Sequence, residues 1–204
     1  MIAIVDYGMG NLRSVEKALQ RLGHDARVTS NADEIAAAAG VILPGVGAFA
    51  DCMAYLDSTG LRTAVVEAID SGRPFLGICL GLQLLFTESE ENGIHPGLNV
   101  LAGRVKRFPA GRGLKVPHMG WNQIRIERQS PIFNCVADGS NVYFVHSYYV
   151  EADDQSIVAS TTEYGLDFAS AVQVGNVFAC QFHPEKSGKV GLAILDNFAR
   201  MCGR

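Results

Sequence analysis

The clearest chemical signal in the sequence is a cysteine flanked by glycines. The pentapeptide Gly77-Ile78-Cys79-Leu80-Gly81 lies between an apolar run and a helical pattern. This G-x-nucleophile-x-G spacing is typical of a nucleophile elbow, a strained strand-to-helix turn in which larger residues at the glycine positions would clash. The N-terminus of the following helix stabilises a thiolate, and the Leu80 N–H is placed to donate to an oxyanion. The alternative interpretation is a buried, unreactive cysteine in an ordinary turn.

A nucleophilic cysteine needs a proton acceptor, and His183-Pro184-Glu185 is the best candidate. It follows an apolar, strand-like run, which predicts that His183 lies at a strand end. Proline favours an extended backbone at the residue before it, and residues i and i+2 of an extended segment point the same way. Glu185 can therefore hold one imidazole nitrogen while the other faces Cys79, as in a Cys–His–carboxylate triad. A solvated loop histidine is the alternative, and the sequence does not show that the two motifs are adjacent.

Two further segments can contribute to the same cleft. The glycines of Pro44-Gly45-Val46-Gly47 let the backbone approach a ligand and donate a second oxyanion N–H, although a plain glycine-rich turn is the simpler interpretation. No Lys-Ser/Thr pair follows them, which argues against a phosphate loop. Gln83 lies one helical turn after Cys79, so its amide either reaches the cleft or faces solvent. Cys180 and His183 form an isolated C-x-x-H, too few ligands for a structural zinc site, so no metal is expected.

These motifs need a scaffold that brings strand ends together. Apolar runs alternate with amphipathic segments in the first half, which predicts a mostly parallel sheet with helices on both faces. The strands predicted there are Ile2–Asp6, Asp25–Thr29, Gly40–Leu43 and Pro74–Ile78, and the helices are Asn11–Leu22, Ala32–Ala39, Leu61–Asp70 and Leu80–Glu88. The second half is strand-rich, with predicted strands at Gly103–Phe108, Asn122–Glu127, Val142–Val150, Ile157–Thr161, Ala169–Val174 and Val177–Cys180, and a closing helix at Gly188–Met201. We predict one mixed, flavodoxin-like α/β domain over residues 1–204, with a hairpin turn at Gly175-Asn176.

Composition restricts the function classes. The 204 residues are 48% apolar and 19% charged, which excludes a mainly disordered chain. The net charge is −4, which argues against nucleic-acid binding. There is no apolar run long enough to span a membrane and no signal-peptide pattern. The odd number and wide spacing of the five cysteines indicate a reducing compartment, so we expect a cytoplasmic protein.

Taken together, the motifs resemble those of the class I (triad) glutamine amidotransferases over nearly the whole chain. Finer strings are similar to the branch of that family that serves a separate barrel-fold cyclase in histidine biosynthesis. These strings are Asp6-Tyr7-Gly8-Met9-Gly10-Asn11-Leu12, Pro117-His118-Met119-Gly120-Trp121-Asn122, Tyr143-Phe144-Val145-His146-Ser147-Tyr148 and Phe182-His183-Pro184-Glu185-Lys186-Ser187.

The resemblance implies a role for each site residue. Cys79 would attack the side-chain amide of L-glutamine and form a thioester, while His183, oriented by Glu185, carries protons. The other implied residues are Gly47 and Leu80 as oxyanion donors, and Gly45, Gln83, His146, Ser147 and Tyr148 in substrate binding. Neither a metal nor an organic cofactor is implied.

The resemblance also implies a partner. Ammonia would pass to the cyclase of a heterodimer, which forms imidazole glycerol phosphate and an aminoimidazole carboxamide ribotide. The residues implied to face the cyclase are Asn11, Met119, Trp121, Tyr143 and Lys186. From the residues alone, Met119 and Trp121 form either an interface pair or an ordinary core pair.

Three rival functions remain open at this point. One is a glutaminase for another synthase, such as anthranilate or aminodeoxychorismate synthase, although the strings Tyr7–Asn11 and Pro117–Asn122 speak against it. The others are a stand-alone cysteine peptidase or amidase, and a non-enzymatic α/β module in which Cys79 is only buried.

Overall fold

The structure is a computed structural model, and it describes residues 1–8, 10–109 and 114–203. Met9 of the first motif lies outside these ranges. The helices are α1 (Leu12–Arg21), α2 (Ala32–Ala37), α3 (Phe49–Ser58), α4 (Leu61–Asp70), α5 (Leu80–Leu84) and α6 (Gly188–Cys202). The strands are β1 (Ile2–Val5), β2 (Ala26–Thr29), β3 (Gly40–Gly45), β4 (Phe75–Cys79), β5 (Phe86–Ser89), β6 (His95–Pro96), β7 (Leu101–Arg107), β8 (His118–Gln123), β9 (Arg125–Ile126), β10 (Asn141–His146), β11 (Tyr148–Ala152), β12 (Val158–Glu163), β13 (Asp167–Val174) and β14 (Val177–Cys180).

A mixed eight-stranded sheet forms the centre of the fold, in the order β2-β1-β3-β4-β14-β13-β12-β9. The pairs from β2 to β14 are parallel, and those from β14 to β9 are antiparallel. β13 and β14 are joined by the expected two-residue turn at Gly175-Asn176, since Val174 pairs with Val177. The predicted fold class, a mostly parallel sheet with a strand-rich second half, is confirmed.

Apolar side chains pack against both faces of this sheet. β1 shows the division: Ala3 and Val5 belong to one core cluster, whereas Ile2 and Ile4 belong to the other. This follows from the alternation of side chains along a strand, and it explains why a central parallel strand is apolar at every position. Helices α3 and α4 contribute to the first cluster, and α1 and α6 contribute to the second.

Two smaller β structures lie beside the main sheet. β8 and β10 form an antiparallel ribbon, and β11-β7-β5-β6 form a four-stranded sheet. The longest helix within the described ranges has 15 residues, and none of the helices there has the length and apolarity of a membrane span.

Several predicted elements differ from the structure. The helix predicted over Leu80–Glu88 is wrong after Leu84, because buried Phe86 pairs with Leu101 in the four-stranded sheet. The predicted strand Val142–Val150 divides at Ser147, where the chain leaves the ribbon and joins β7.

Three more differences concern individual strands and helices. The predicted strand Asn122–Glu127 is not one strand in the structure. It contains the last two residues of β8 and all of β9, and these strands belong to different sheets. Helix α3 was not predicted. β3 continues through Pro44, because its pairing with β1 ends at Ile42 and a proline is tolerated where a strand is paired on one side.

The carboxyl ends of β3, β4 and β14 lie side by side in the centre of the sheet. Gly45 ends β3, Cys79 ends β4, and the chain reaches His183 shortly after β14. The two motifs that are far apart in sequence therefore meet at one edge, where α/β sheets place their ligands.

Candidate active site

Cys79 has the backbone conformation expected of a nucleophile elbow. Its φ is +56° and its ψ is −108°, a region that a residue with a side chain rarely occupies. A Cβ at Gly77 would lie 2.8 Å from the Gly81 carbonyl oxygen, and one at Gly81 would lie 1.8 Å from the Leu43 carbonyl oxygen. Neither position has room for a side chain: Gly77 lets β4 approach the backbone of α5, and Gly81 lets α5 pack against β3.

His183 and Glu185 form a buried pair beside Cys79. The His183 Nδ1 atom is 2.9 Å from Glu185 Oε1, and the two side chains are 3% and 1% exposed. Burial alone lowers the pKa of His183, but interactions with Cys79 and Glu185 together outweigh it and raise the pKa to about 10. The contacts with Cys79 and Glu185 therefore favour the imidazolium form of His183.

The triad opens onto a cavity of about 380 Å³, a size suited to a small metabolite. The residues that line it are Val46, Gly47, Cys79, Leu80, Gln83, Glu91, Pro117, Val145, His146, Ser147, Tyr148 and His183. Most of the site residues predicted from the sequence are therefore brought together here. Two are not in the lining. Glu185 contacts His183, and Gly45 packs so closely against the Tyr7 hydroxyl that a Cβ there would lie 2.4 Å from it.

Gln83 is buried and takes part in the wall of the pocket. Its Nε2 donates to the Tyr148 carbonyl oxygen and to Gln181 Oε1, both at 3.0 Å. Gln181 was missed in the sequence, although it lies in the same segment as His183. Its Nε2 is 3.7 Å from the sulfur of Cys79.

Glu91 is a second residue that the sequence did not indicate. Its carboxylate lines the pocket, and its Oε2 accepts a hydrogen bond from the Phe49 N–H at 2.7 Å. Glu91 thus caps the N-terminus of α3 from a distant part of the chain. No local motif marks it, because its position depends on the loop that follows β5.

Two buried imidazoles support the pocket from the ribbon. His146 Nδ1 is 2.8 Å from the Tyr148 carbonyl oxygen, and His146 Nε2 is 2.9 Å from His118 Nδ1. Burial lowers the pKa of His146 to about 3 and that of His118 to about 4. Both rings are therefore neutral near pH 7. His118 is stacked between Tyr164 and Phe144, with ring centroids 3.9 and 4.8 Å away.

The residues that the resemblance implied for a partner lie at the surface near this site. Met119 and Trp121 are 62% and 57% exposed on β8, so the core-pair interpretation is wrong. Trp121 pairs with Tyr143 across the ribbon in an edge-to-face contact of 6.0 Å, and Lys186 Nζ lies 5.9 Å from the Tyr143 ring. Asn11 precedes α1 and accepts a hydrogen bond from Ser14 Oγ at 2.8 Å.

Comparison with known proteins gives the same family over nearly the whole chain. The family model described as glutamine amidotransferase class-I matches residues 3–202. A protein of Syntrophotalea carbinolica named imidazole glycerol phosphate synthase subunit HisH is 58% identical, and the alignment covers 98% of this chain and 100% of that protein. The HisH subunit of Moorella thermoacetica is also 58% identical, with 98% and 94% covered.

Solved structures support the fold. A crystal structure of a glutamine amidotransferase superimposes with a TM-score of 0.77 at 21% identity, covering 100% of each chain. The structure of PurLQS from Thermotoga maritima gives a TM-score of 0.77 at 19% identity, with 98% and 97% covered. With a family model and close full-length relatives in agreement, the chain belongs to the class-I glutamine amidotransferases, in the group of imidazole glycerol phosphate synthase HisH subunits.

Proposed function

We propose that this chain is the glutaminase subunit of an imidazole glycerol phosphate synthase, acting as one amidotransferase domain over residues 1–204. The observation that carries the proposal is the geometry of Cys79, strained on its elbow and facing the same pocket as the buried His183–Glu185 pair. A buried ion pair of this kind is costly to maintain for stability alone, so its position beside a potential nucleophile favours a chemical role.

The first step is attack of the Cys79 thiolate on the side-chain amide carbon of L-glutamine. A carbon–sulfur bond forms, and the amide oxygen takes up negative charge. Gly47 and Leu80 line the pocket beside the sulfur, and their backbone N–H groups are the proposed oxyanion donors. His183 then gives its proton to the departing nitrogen, the carbon–nitrogen bond breaks, and ammonia leaves a γ-glutamyl thioester on Cys79.

The second step is hydrolysis of that thioester. His183 is now neutral and accepts a proton from water, which attacks the same carbon. The carbon–sulfur bond breaks, glutamate is released, and the thiolate–imidazolium pair is restored. Glu185 keeps its hydrogen bond to Nδ1 throughout, so that Nε2 remains the nitrogen that exchanges protons.

The amino-acid end of glutamine is assigned to the pocket residues other than the triad and the oxyanion donors. Gln83, His146, Ser147 and Tyr148 are the residues expected to hold it, and Glu91 adds a carboxylate to the same lining. The α-ammonium group of an amino acid is a cation, so Glu91 is its natural partner in this lining. Gly45 acts indirectly, by allowing β3 to approach the elbow.

The ammonia is proposed to pass to a barrel-fold cyclase that binds next to the active site. The relatives are named as subunits of imidazole glycerol phosphate synthase, which implies a second subunit for this chain. The exposed apolar pair Met119 and Trp121, with Tyr143 and Lys186 beside it, is the surface that we assign to the cyclase. The same resemblance implies that Asn11 also faces the cyclase.

Glutamate release from glutamine in the assembled complex tests the chemistry. We expect Cys79→Ala to fold and to show no turnover, because alanine cannot form the thioester. Cys135→Ala is the matched control, since Cys135 is exposed and outside the pocket. Turnover by a folded Cys79→Ala variant would exclude the proposed nucleophile.

A further inference from the structure

We infer that Gln181 is a further catalytic residue, whose side-chain amide donates a hydrogen bond to the Cys79 thiolate. The inference rests on the proposed function, because it takes Cys79 to be the nucleophile. Gln181 follows β14 directly and is fully buried. Its backbone N–H donates to the Ser170 carbonyl oxygen at 2.9 Å, and its Nε2 lies 3.7 Å from Cys79 Sγ, a distance suited to a sulfur acceptor.

The orientation of the Gln181 amide follows from its neighbours. The Tyr148 carbonyl oxygen can only accept, so Gln83 must turn its Nε2 group towards it. That NH₂ group donates its second proton to Gln181 at 3.0 Å, and Gln181 must therefore present its oxygen to Gln83. The Nε2–H of Gln181 is then the group that faces the sulfur. A flipped amide would place a donor against a donor and an oxygen against a thiolate.

The Tyr148 carbonyl is itself fixed by the imidazoles of the ribbon. His146 donates to it from Nδ1, and its Nε2 must then accept a hydrogen bond from His118 Nδ1–H. His118 Nε2 in turn accepts from Asn122 Nδ2 at 3.3 Å. Because the Tyr148 carbonyl can only accept, each neighbouring group in the series is fixed as donor or acceptor in turn. The directions of the hydrogen bonds are therefore consistent from Asn122 on the ribbon to the Cys79 sulfur.

The chemical consequence is stabilisation of the thiolate by a neutral donor. The titratable groups that surround Cys79 on the elements packed against it are His183, Glu185, Cys180, Tyr7, His146 and Glu91. Burial raises the pKa of Tyr7 and of Cys180, so these two remain protonated. His183 supplies positive charge but gives up its proton during catalysis. Gln181 cannot lose its proton, so its N–H faces the sulfur both when the thiolate attacks and when the thiolate leaves again at the end of the cycle.

The pH dependence of Cys79 alkylation by iodoacetamide tests this inference. Only the thiolate reacts, so the rate follows the population of thiolate. A hydrogen bond to a charged group is typically worth a shift of about one to two pH units, so in Gln181→Met the midpoint should move upward by about this amount. The extent of labelling is measured on the Cys79 peptide by mass spectrometry, and the exposed Cys135 serves as an internal reference.

A control variant separates this effect from general damage to the core. Ser170→Ala also removes a buried hydrogen bond near Gln181, that between Ser170 Oγ and Ser160 Oγ at 2.8 Å, without changing a group that contacts the sulfur. Its Cys79 profile should match the wild type. If Gln181→Met does not fold, Gln181→Asn replaces it. The shorter amide preserves polarity but does not reach Sγ, so the midpoint of Cys79 alkylation should move to higher pH by the same amount.

The outcomes distinguish this inference from the proposed function. A Cys79 midpoint that is unchanged in Gln181→Met or Gln181→Asn, while wild-type Cys79 reacts as a thiolate at neutral pH, would overturn the role of Gln181 and leave the nucleophile in place. Wild-type Cys79 that reacts no faster at neutral pH than Cys135 would contradict the proposed function itself.

Discussion

Substitution of Trp121 by alanine should weaken the complex with the cyclase without damaging the isolated chain. Trp121 is 57% exposed on β8. A tryptophan buries about 150–250 Å², so covering the exposed fraction would bury about 90–140 Å² of mostly apolar surface. At about 25 cal/mol per Å², this contributes about 2–3.5 kcal/mol to binding, or roughly a 30- to 400-fold change in Kd.

The assay is a calorimetric titration of each variant with the purified barrel cyclase. The isolated Trp121→Ala chain loses the edge-to-face contact of a half-exposed side chain with Tyr143, worth about 0.5–1.5 kcal/mol, so its thermal midpoint should fall by a few degrees at most. Val174→Ala is the matched control. Val174 is 42% exposed, but it lies at the hairpin between β13 and β14, at the end of the sheet opposite Cys79.

The reasoning would be refuted by a Trp121→Ala chain that binds the cyclase with wild-type affinity. A loss of affinity of equal size in Val174→Ala would also refute it, since the effect would then not be specific to the ribbon surface.

Two further predictions concern the triad and the elbow. Glu185→Gln removes the carboxylate that helps to hold the pKa of His183 near 10, so the pKa of His183 should fall. The alkaline limb of the pH–rate profile should then move to lower pH by about one unit or more. An unchanged alkaline limb would exclude this role for Glu185. Gly81→Ala places a Cβ against the Leu43 carbonyl oxygen and should lower the free energy of unfolding in urea by about 2–4 kcal/mol. The control is Gly203→Ala, where the added Cβ meets open space. It should change the free energy of unfolding by less than about 0.5 kcal/mol. Equal unfolding midpoints for the two glycine variants would contradict the packing described for the elbow.

The sequence predicted the elements that carry the catalytic motifs because local and long-range preferences agree there. β1, β4 and β14 are short apolar runs that are buried on both faces, and the Gly-x-Cys-x-Gly spacing has few structural solutions. The relation of His183 to Glu185 was predictable for the same reason, since it depends on neighbouring residues and on the restriction that Pro184 imposes.

Elements that depend on distant partners were less predictable. Helix α3 has apolar residues at helical spacing, namely Phe49, Cys52, Met53 and Leu56, so a signal was present. It has no capping side chain of its own, because Glu91 provides that function from the loop after β5. The segment Phe86–Ser89 continues a helical pattern in the sequence, and only its pairing with Leu101 makes it a strand.

The parts of the site that the sequence did not indicate share this property. Gln181 contacts the Cys79 sulfur and Glu91 lines the pocket, and each makes its contacts with residues far away in the sequence. His118 belongs to one of the strings that carry the family resemblance, and no role in the site was predicted for it. Its ring lies on the buried side of the ribbon, while Met119 and Trp121 lie on the exposed side. Alternation along β8 explains this division, but the strand was predicted to begin four residues later.

Reconstitution with the barrel cyclase, its ribotide substrate and a choice of nitrogen source tests the central claim most directly. With wild-type protein, both glutamine and ammonium salts should support formation of imidazole glycerol phosphate. With Cys79→Ala, ammonium salts should still support it, because the cyclase receives ammonia from solution, but glutamine should not. Product formation from glutamine in the Cys79→Ala complex would contradict the account.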